Sequence, residues 1–405
     1  MKVLDLTTLY MDGGEGGVNT YLREKARFLS EANGYRHTVI VPGSRSSTSR
    51  LWNSTVHCVR SPRLPRNPHH VFADLRGIAR LLVEEEPDVV EVDVSYLLGH
   101  VAARALRGKR VPILGFYHVH LPFLHTRPRR GLLVGAIRRR TEPLVWKYAE
   151  LCARPCDRVV VTTRDMHARL SARSFPRLDL VPLGVNLDLF RPKTEIGERI
   201  LIPGIDPDRP VLLFVGRLGR EKDIDVLFAA HEELTKDLGS QLVIAGDGPL
   251  RRRAERFARS IAGVAFLGTC PYGEHLASVY RSADVLAVPG RNETFSLTVL
   301  EAFASGLPVV GVDQGGPSEI LKPGIGELAR PGDATDFADK VRSILRGKAL
   351  GAACRKHAEK HYSWERTFQA LLEVYDSARE EKTRFVERRR KGSRSPAEPL
   401  VARGA

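Results

Sequence analysis

Short runs of apolar residues alternate along the first half of the chain with stretches whose apolar positions recur at helical spacing. Residues 3–6 are followed by 18–29, 37–41 by 71–83, 89–92 by 96–106, and 113–116 by 145–151, before a last run at 159–162. Continuous apolar runs with no polar face suit strands covered on both sides, so this alternation predicts βαβ units and a parallel sheet. The pattern stops between 191 and 210, a loop-like segment holding Pro192, Pro203, Pro207 and Pro210, and is taken as the linker.

It then restarts. Strand-like runs at 211–215, 241–245, 264–267, 285–288 and 309–312 alternate with helical stretches at 223–236, 250–260, 273–281, 296–304 and 337–345. The predicted fold class is α/β, with two facing Rossmann-like, doubly wound parallel-sheet domains. Residues 1–188 form the first domain and 189–363 the second. Trp364, Phe368, Leu371, Leu372 and Tyr375 mark a closing helix over 364–387, and 388–405 is expected to be a basic, disordered tail. In such sheets ligands bind at the carboxyl ends of the strands, so the cleft between the domains is where chemistry is expected.

Composition narrows the partners. The chain has 405 residues and a formal net charge of +15, with 42% apolar residues, as in a folded globular protein. Residues 1–188 hold 29 Lys and Arg against 18 Asp and Glu, while 189–405 hold 34 against 30; the tail at 388–405 alone is +5, which leaves the rest of that half at −1. A basic half can attract nucleic acid, an anionic membrane or an anionic substrate. Aromatics make up only 7% and no nucleic-acid signature is present, which argues against nucleic acid. Cys152 and Cys156 have no second Cys or His pair beside them, so all five cysteines are expected as thiols and no zinc site is expected. With Asp5 in the opening segment and no long apolar stretch, the expected location is the cytoplasm, peripheral on the inner face of the cell membrane.

Three segments carry candidate chemistry. Gly13-Gly14-Glu15-Gly16-Gly17 joins the first strand to the first helix, where backbone can approach an anion or a sugar closely. It is not a dinucleotide fingerprint, because the third glycine would fall on Asn19, and Gly246-Asp247-Gly248 fails in the same way at Arg251. After the strand at 211–215, Gly216-Arg217-Leu218-Gly219-Arg220-Glu221-Lys222 offers two cations that can clamp a diphosphate; alone, this loop is equally well read as solvated charge. In the segment 289–308, Ser296 as a helix N-cap would leave the amides of Leu297, Thr298 and Val299 aimed at an anion. Glu293 ahead of that point and Glu301 beyond it would accept from hydroxyls of a sugar and a ribose on either side of a diphosphate.

Glu293 and Glu301, with seven residues between them and followed by Ala302-Phe303-Ala304-Ser305-Gly306-Leu307-Pro308, resemble the E-x7-E motif of retaining GT-B glycosyltransferases of family GT4. The resemblance covers about residues 1–375 and includes Arg217 with Lys222, Gly246-Asp247-Gly248-Pro249 and the glycine loop in order. It implies that Arg217 and Lys222 hold the donor diphosphate, Glu293 the hexose and Glu301 the ribose. Phe295, Ser296 and Leu297 would give backbone amides, Phe266 and Leu267 would lie beside the base, and Gly14, Gly16, Gly17 and Gly216 would border the donor. Gly115-Phe116-Tyr117-His118-Val119-His120-Leu121-Pro122 is similar to an acceptor-domain motif of lipid-glycosylating members, which puts His118 at the reaction centre and leaves His120 open.

Arginines 127, 129, 130, 138, 139 and 140 surround Leu132, Leu133, Val134 and Ile137, a composition suited to an anionic membrane surface. The function expected from the resemblance is transfer of a hexose, first mannose from GDP-mannose and second a UDP-hexose, to a membrane lipid or lipid-linked glycan. Asp206-Pro207-Asp208 falls in the linker and Asp223-Ile224-Asp225 opens a helix, so no metal and no resident cofactor are expected. The rival readings are a nucleotide-sugar epimerase of the same architecture and a basic nucleic-acid-binding protein.

Overall fold

The computed structural model describes residues 1–10, 16–63, 70–122, 132–192, 200–347 and 349–392, with backbone alone for 132–139 and 389–392. Its first sheet comprises β1 (Lys2–Leu6), β2 (Arg36–Gly43), β3 (Ser47–Leu51), β4 (Ser54–Arg60), β5 (Val89–Asp93), β6 (Ile113–Phe116), β7 (Arg158–Val161) and β8 (Arg177–Leu180). Their order is β3-β4-β2-β1-β5-β6-β7-β8, all parallel except the β3–β4 pairing. The helices are α1 (Gly17–Glu31), α2 (Leu75–Glu84), α3 (Leu98–Ala105), α4 (Leu132–Ala153) and α5 (Arg164–Ser171).

The second sheet has the order β11-β10-β9-β12-β13-β14, formed from β9 (Val211–Val215), β10 (Gln241–Ala245), β11 (Val264–Gly268), β12 (Val285–Val288), β13 (Val309–Val312) and β14 (Gly326–Ala329), all parallel. Around it lie α6 (Ile224–Leu238), α7 (Arg251–Ser260), α8 (Glu274–Arg281), α9 (Leu297–Ala304), α10 (Gly316–Ile320), α11 (Ala334–Arg346) and α12 (Gly351–His361). The strand order reverses between β1 and β5 in one sheet and between β9 and β12 in the other. Those switch points open crevices at the strands' carboxyl ends.

The last helix, α13 (Trp364–Gly392), returns to the first sheet. The return is tight at Gly184, where an added Cβ would come within 2.4 Å of the Ser363 carbonyl carbon, and Val185 N–H donates to Tyr362 O at 2.8 Å. From there Trp364 stacks on Phe368 (5.3 Å), and Phe368 packs against Phe28 (5.4 Å) and Tyr21 (5.8 Å) of α1. One apolar cluster therefore runs from Val3 and Leu114 through Phe190 and Trp364 into Leu213 and Leu300. Arg158 of β7 donates to Glu381 (2.8 Å) and Ser377 (2.6 Å), and Lys382 pairs with Asp157 (2.8 Å), which fixes the far end of α13. This helix continues past the expected end at 387 to Gly392, so the first residues assigned to the tail are helical; 393–405 lie outside the described residues.

Candidate active site

Three loops of the second domain meet where β9, β10 and β12 end. Gly216 N–H donates to Ala245 O at 3.0 Å and Leu218 N–H to Asp247 O at 2.8 Å, packing the loop after β9 against the one after β10. Gly246 has φ 144°, and a Cβ there would lie 1.9 Å from the Gly216 carbonyl oxygen, so this approach requires glycine. A 3-10 turn, Arg220–Lys222, then brings Lys222 Nζ onto a Glu293 carboxylate oxygen, while Arg217 pairs with Glu221. The loop carrying Glu293 is pinned from behind. Arg291 makes two hydrogen bonds to Asp223, at 2.7 and 3.2 Å, and Gly316 N–H donates to the Glu293 carbonyl at 2.8 Å.

At the start of α9 the structure corrects one expectation. The Ser296 side chain does not cap the helix: the residue has φ 87°, its hydroxyl lies 3.1 Å from the Thr298 hydroxyl, and its carbonyl takes the Val299 N–H at 3.2 Å. Val299 is thus removed from the anion site. Among the described residues the N–H groups of Leu297 and Thr298 have no backbone partner. Phe295 is buried beneath them, and Glu301 is buried with Tyr280 OH donating to it at 2.6 Å. Tyr280, to which the sequence did not point, thereby joins the candidate site. Phe266 and Leu267 lie in the carboxyl-terminal half of β11, with the Arg251 guanidinium 5.5 Å from the Phe266 ring and held by Asp247 (2.9 Å) and Glu255 (2.7 Å).

The first domain faces this assembly. Gly17 begins α1, and a Cβ there would meet Leu297 Cδ1 at 3.6 Å, so the glycine end of α1 abuts the tip of α9; Gly16 precedes it, and Gly14 lies outside the described residues. Thr294 Oγ1 donates to His118 O at 3.3 Å, which ties the Glu293 loop to the end of β6. The His118 ring stacks on Phe116 at 4.1 Å, meets Tyr21 edge-on at 5.3 Å, and borders a small cavity with Asp5, Thr7, Glu91 and Asp93. Burial pushes its pKa down to about 3, so the ring is neutral at pH 7 and can hydrogen-bond a hydroxyl.

His120 points elsewhere. Its Nδ1 is 2.8 Å from Tyr117 OH and its ring is edge-on to Trp146 at 5.1 Å, inside the first domain. The Asp223 and Asp225 carboxylates diverge, one to Arg291 and the other to Arg253 at 2.7 Å. Arg127, Arg129 and Arg130, and the side chains of Arg138 and Arg139, lie outside what the structure describes.

Beneath His118 lies a cluster with no counterpart in the sequence reading. Register pairs Asp5 with Glu91 across β1 and β5, and Lys25 of α1 bonds Asp5 at 2.7 Å, Glu91 at 3.2 Å and Tyr375 OH of α13 at 2.8 Å. Tyr21 OH donates to Glu91 at 2.9 Å, and His37 Nε2 lies 2.6 Å from Asp5.

Two doubly wound domains joined by a returning helix, with a cationic loop, a helix tip and two acids across the cleft from a histidine, define the GT-B class of glycosyl-transferring enzyme. Family profiles agree over both halves: Glycosyltransferase Family 4 matches residues 15–189 and Glycosyl transferases group 1 matches 198–361. A D-inositol 3-phosphate glycosyltransferase of Geodermatophilus obscurus is 36% identical over 91% of this chain and 86% of its own. A GDP-mannose-dependent alpha-mannosyltransferase of Corynebacterium glutamicum is 27% identical over 93% and 88%. A sulfoquinovosyl transferase of Arabidopsis thaliana is 30% identical over 72% of this chain, which spans 57% of that protein. Among solved structures, sucrose-phosphate synthase of Thermosynechococcus elongatus has the same fold at a TM-score of 0.76, with 23% identity over 93% of this chain and 99% of that one. The chain belongs to the group 1, family 4 glycosyltransferases, enzymes that act on nucleotide sugars.

Proposed function

We propose that the protein moves a hexose, with retention of configuration and without a metal, from a nucleoside diphosphate sugar to a hydroxyl of a membrane lipid or lipid-linked glycan. GDP-mannose is the first candidate donor and a UDP-hexose the second. The observation that carries the reading is the meeting of Gly17 with Leu297 and of Thr294 with His118, which gathers both halves of the site in one cleft.

Breaking the anomeric C–O bond leaves new negative charge on the diphosphate, and stabilising it is the main catalytic task. Arg217, Lys222 and the Leu297 and Thr298 amides supply that charge stabilisation. A diphosphate entering between the two cations competes with Glu221 and Glu293 for them. Glu293 is then released towards hexose hydroxyls, while Glu301, oriented by Tyr280, receives the ribose. Retention requires attack on the face from which the diphosphate departs, its oxygen taking the acceptor's proton; neutral His118 bonds a hydroxyl at that centre. The separated Asp223 and Asp225 leave the cationic side chains to do what a metal does elsewhere.

Thermal shift with GDP, UDP and ADP identifies the base, since the nucleotide that binds the native state raises its melting temperature. No shift with any of the three would overturn the donor site. A second reading, a water-soluble phosphorylated polyol as acceptor, is favoured by the 36% identity to a D-inositol 3-phosphate glycosyltransferase. Parallel transfer assays with inositol phosphate and with a lipid extract separate the two.

A further inference from the structure

The second half of α4 is apolar on two faces. Trp146, Ala149, Cys152 and Ala153 are buried, Trp146 and Ala153 within the core of the first sheet. On the opposite side Leu144 and Leu151 are 62% and 44% exposed, and Tyr148, at helical spacing between them, is 39% exposed with its hydroxyl turned back to Cys152. Neighbouring α3 adds to this surface: His100 Nε2 lies 2.8 Å from Leu151 O, and Leu97, just before α3, is 45% exposed. A surface helix in water normally turns polar residues outward, so an apolar stripe of this length on the outer side marks something that covers it.

The charges around the stripe say what kind of cover. Arg140 and Lys147 on α4, Arg154 just after it and Arg104 on α3 are exposed. The acids on this half of α4, Glu142 and Glu150, are half-buried, and Glu142 accepts from Trp146 Nε1 at 3.4 Å. A second copy pairing through the same face would bring like charges together. An anionic bilayer satisfies both components, taking the apolar side chains below its headgroups and the cations among them. The location fits as well, since α4 follows the strand end that carries His118 and packs its Trp146 on His120.

We infer that the α4 face formed by Leu144, Tyr148 and Leu151, rimmed by Arg140, Lys147 and Arg154, docks the enzyme on an anionic phospholipid surface. This rests on the lipid-acceptor reading and assigns it a surface that continues past the arginine segment at 127–140, sharing Arg140 with it.

The test is flotation of the purified full chain with phosphatidylcholine vesicles and with equal mixtures of phosphatidylcholine and phosphatidylglycerol. The wild type is expected to float with the anionic vesicles, Leu144→Ser/Tyr148→Ser/Leu151→Ser to lose about tenfold or more of that binding, and Lys147→Glu/Arg154→Glu to lose the preference for phosphatidylglycerol. An undiminished thermal shift with the donor nucleotide shows each variant is folded. Absence of wild-type binding, wild-type binding by both variants, or a dimer in sedimentation that the triple variant dissolves would each overturn the docking face. Lipid glycosylation that persists in the triple variant without vesicle binding removes this face alone; transfer only to a soluble acceptor removes the lipid reading beneath it.

Discussion

Two lysine–carboxylate groupings sit close to the cleft and behave as opposites. Lys25 is 1% exposed and bonds two carboxylates and a tyrosine hydroxyl, with every partner itself buried. Lys222 is 21% exposed and faces the single carboxylate of Glu293, itself 12% exposed. Around Lys25 the balance is electrostatically rigid. Burial raises Asp5 and Glu91 alike, but Lys25 and His37 overcome it and hold Asp5 well below the usual carboxylate range, while Glu91, beside that charge, is pushed up to about 7. Opening such a group strands a desolvated charge, whereas the partly exposed pair at Lys222 can trade its partner for a ligand. A saturated, dry network resists change; an unsaturated one at the solvent boundary is open to a ligand.

Several substitutions put that contrast at risk. Lys25→Met leaves Glu91 without a cation and Asp5 with His37 alone, and is expected to cost about 3–5 kcal/mol in urea unfolding. A loss below about 1 kcal/mol would make the buried cluster no more structural than a surface pair. Lys222→Ala and Glu293→Ala should do the reverse, lowering sugar transfer by about 10²–10³-fold with stability changed by less than about 1 kcal/mol. Near wild-type turnover in Glu293→Ala would remove this site from the reaction.

His118 stands between the two regions and gives a pH test. Folded, it titrates near 3 because of burial; unfolded, near 6.5. Below about pH 6.5 the unfolded chain takes up a proton that the native ring refuses, so stability falls as pH falls. Between pH 7 and 5 the wild type should lose roughly 1–2 kcal/mol more than His118→Phe; equal slopes would mean the ring is open to solvent. The smallest effect is expected at Tyr280→Phe, which deprives Glu301 of one bond and should weaken nucleotide binding by about fivefold, measured by calorimetry. Unchanged affinity would free Glu301 from any dependence on Tyr280.

The strands buried on both faces were legible because such strands must be apolar without interruption, and both sheets follow from them. The β3–β4 hairpin was not: Ser47–Leu51 is a polar, largely exposed edge strand with no apolar period to announce it. At the site, the order of Arg217, Lys222, Glu293 and Glu301 was readable, since loops after successive strands converge whatever their spacing. Tyr280 and the Lys25 cluster were invisible, because only strand register and the return of α13 bring their partners together. Ser296 looked like a capping residue by its chemistry; its positive φ turns the hydroxyl to Thr298 instead.

The returning helix also sets an order of assembly. Tyr375 meets Lys25 across 350 positions of chain, and Glu381 meets Arg158 across 223. During synthesis every strand of the second sheet leaves the ribosome before the first domain receives its final helix. The half that begins first is therefore completed last, and a fragment ending near residue 363 would present the Asp5–Lys25–Glu91 charges to water.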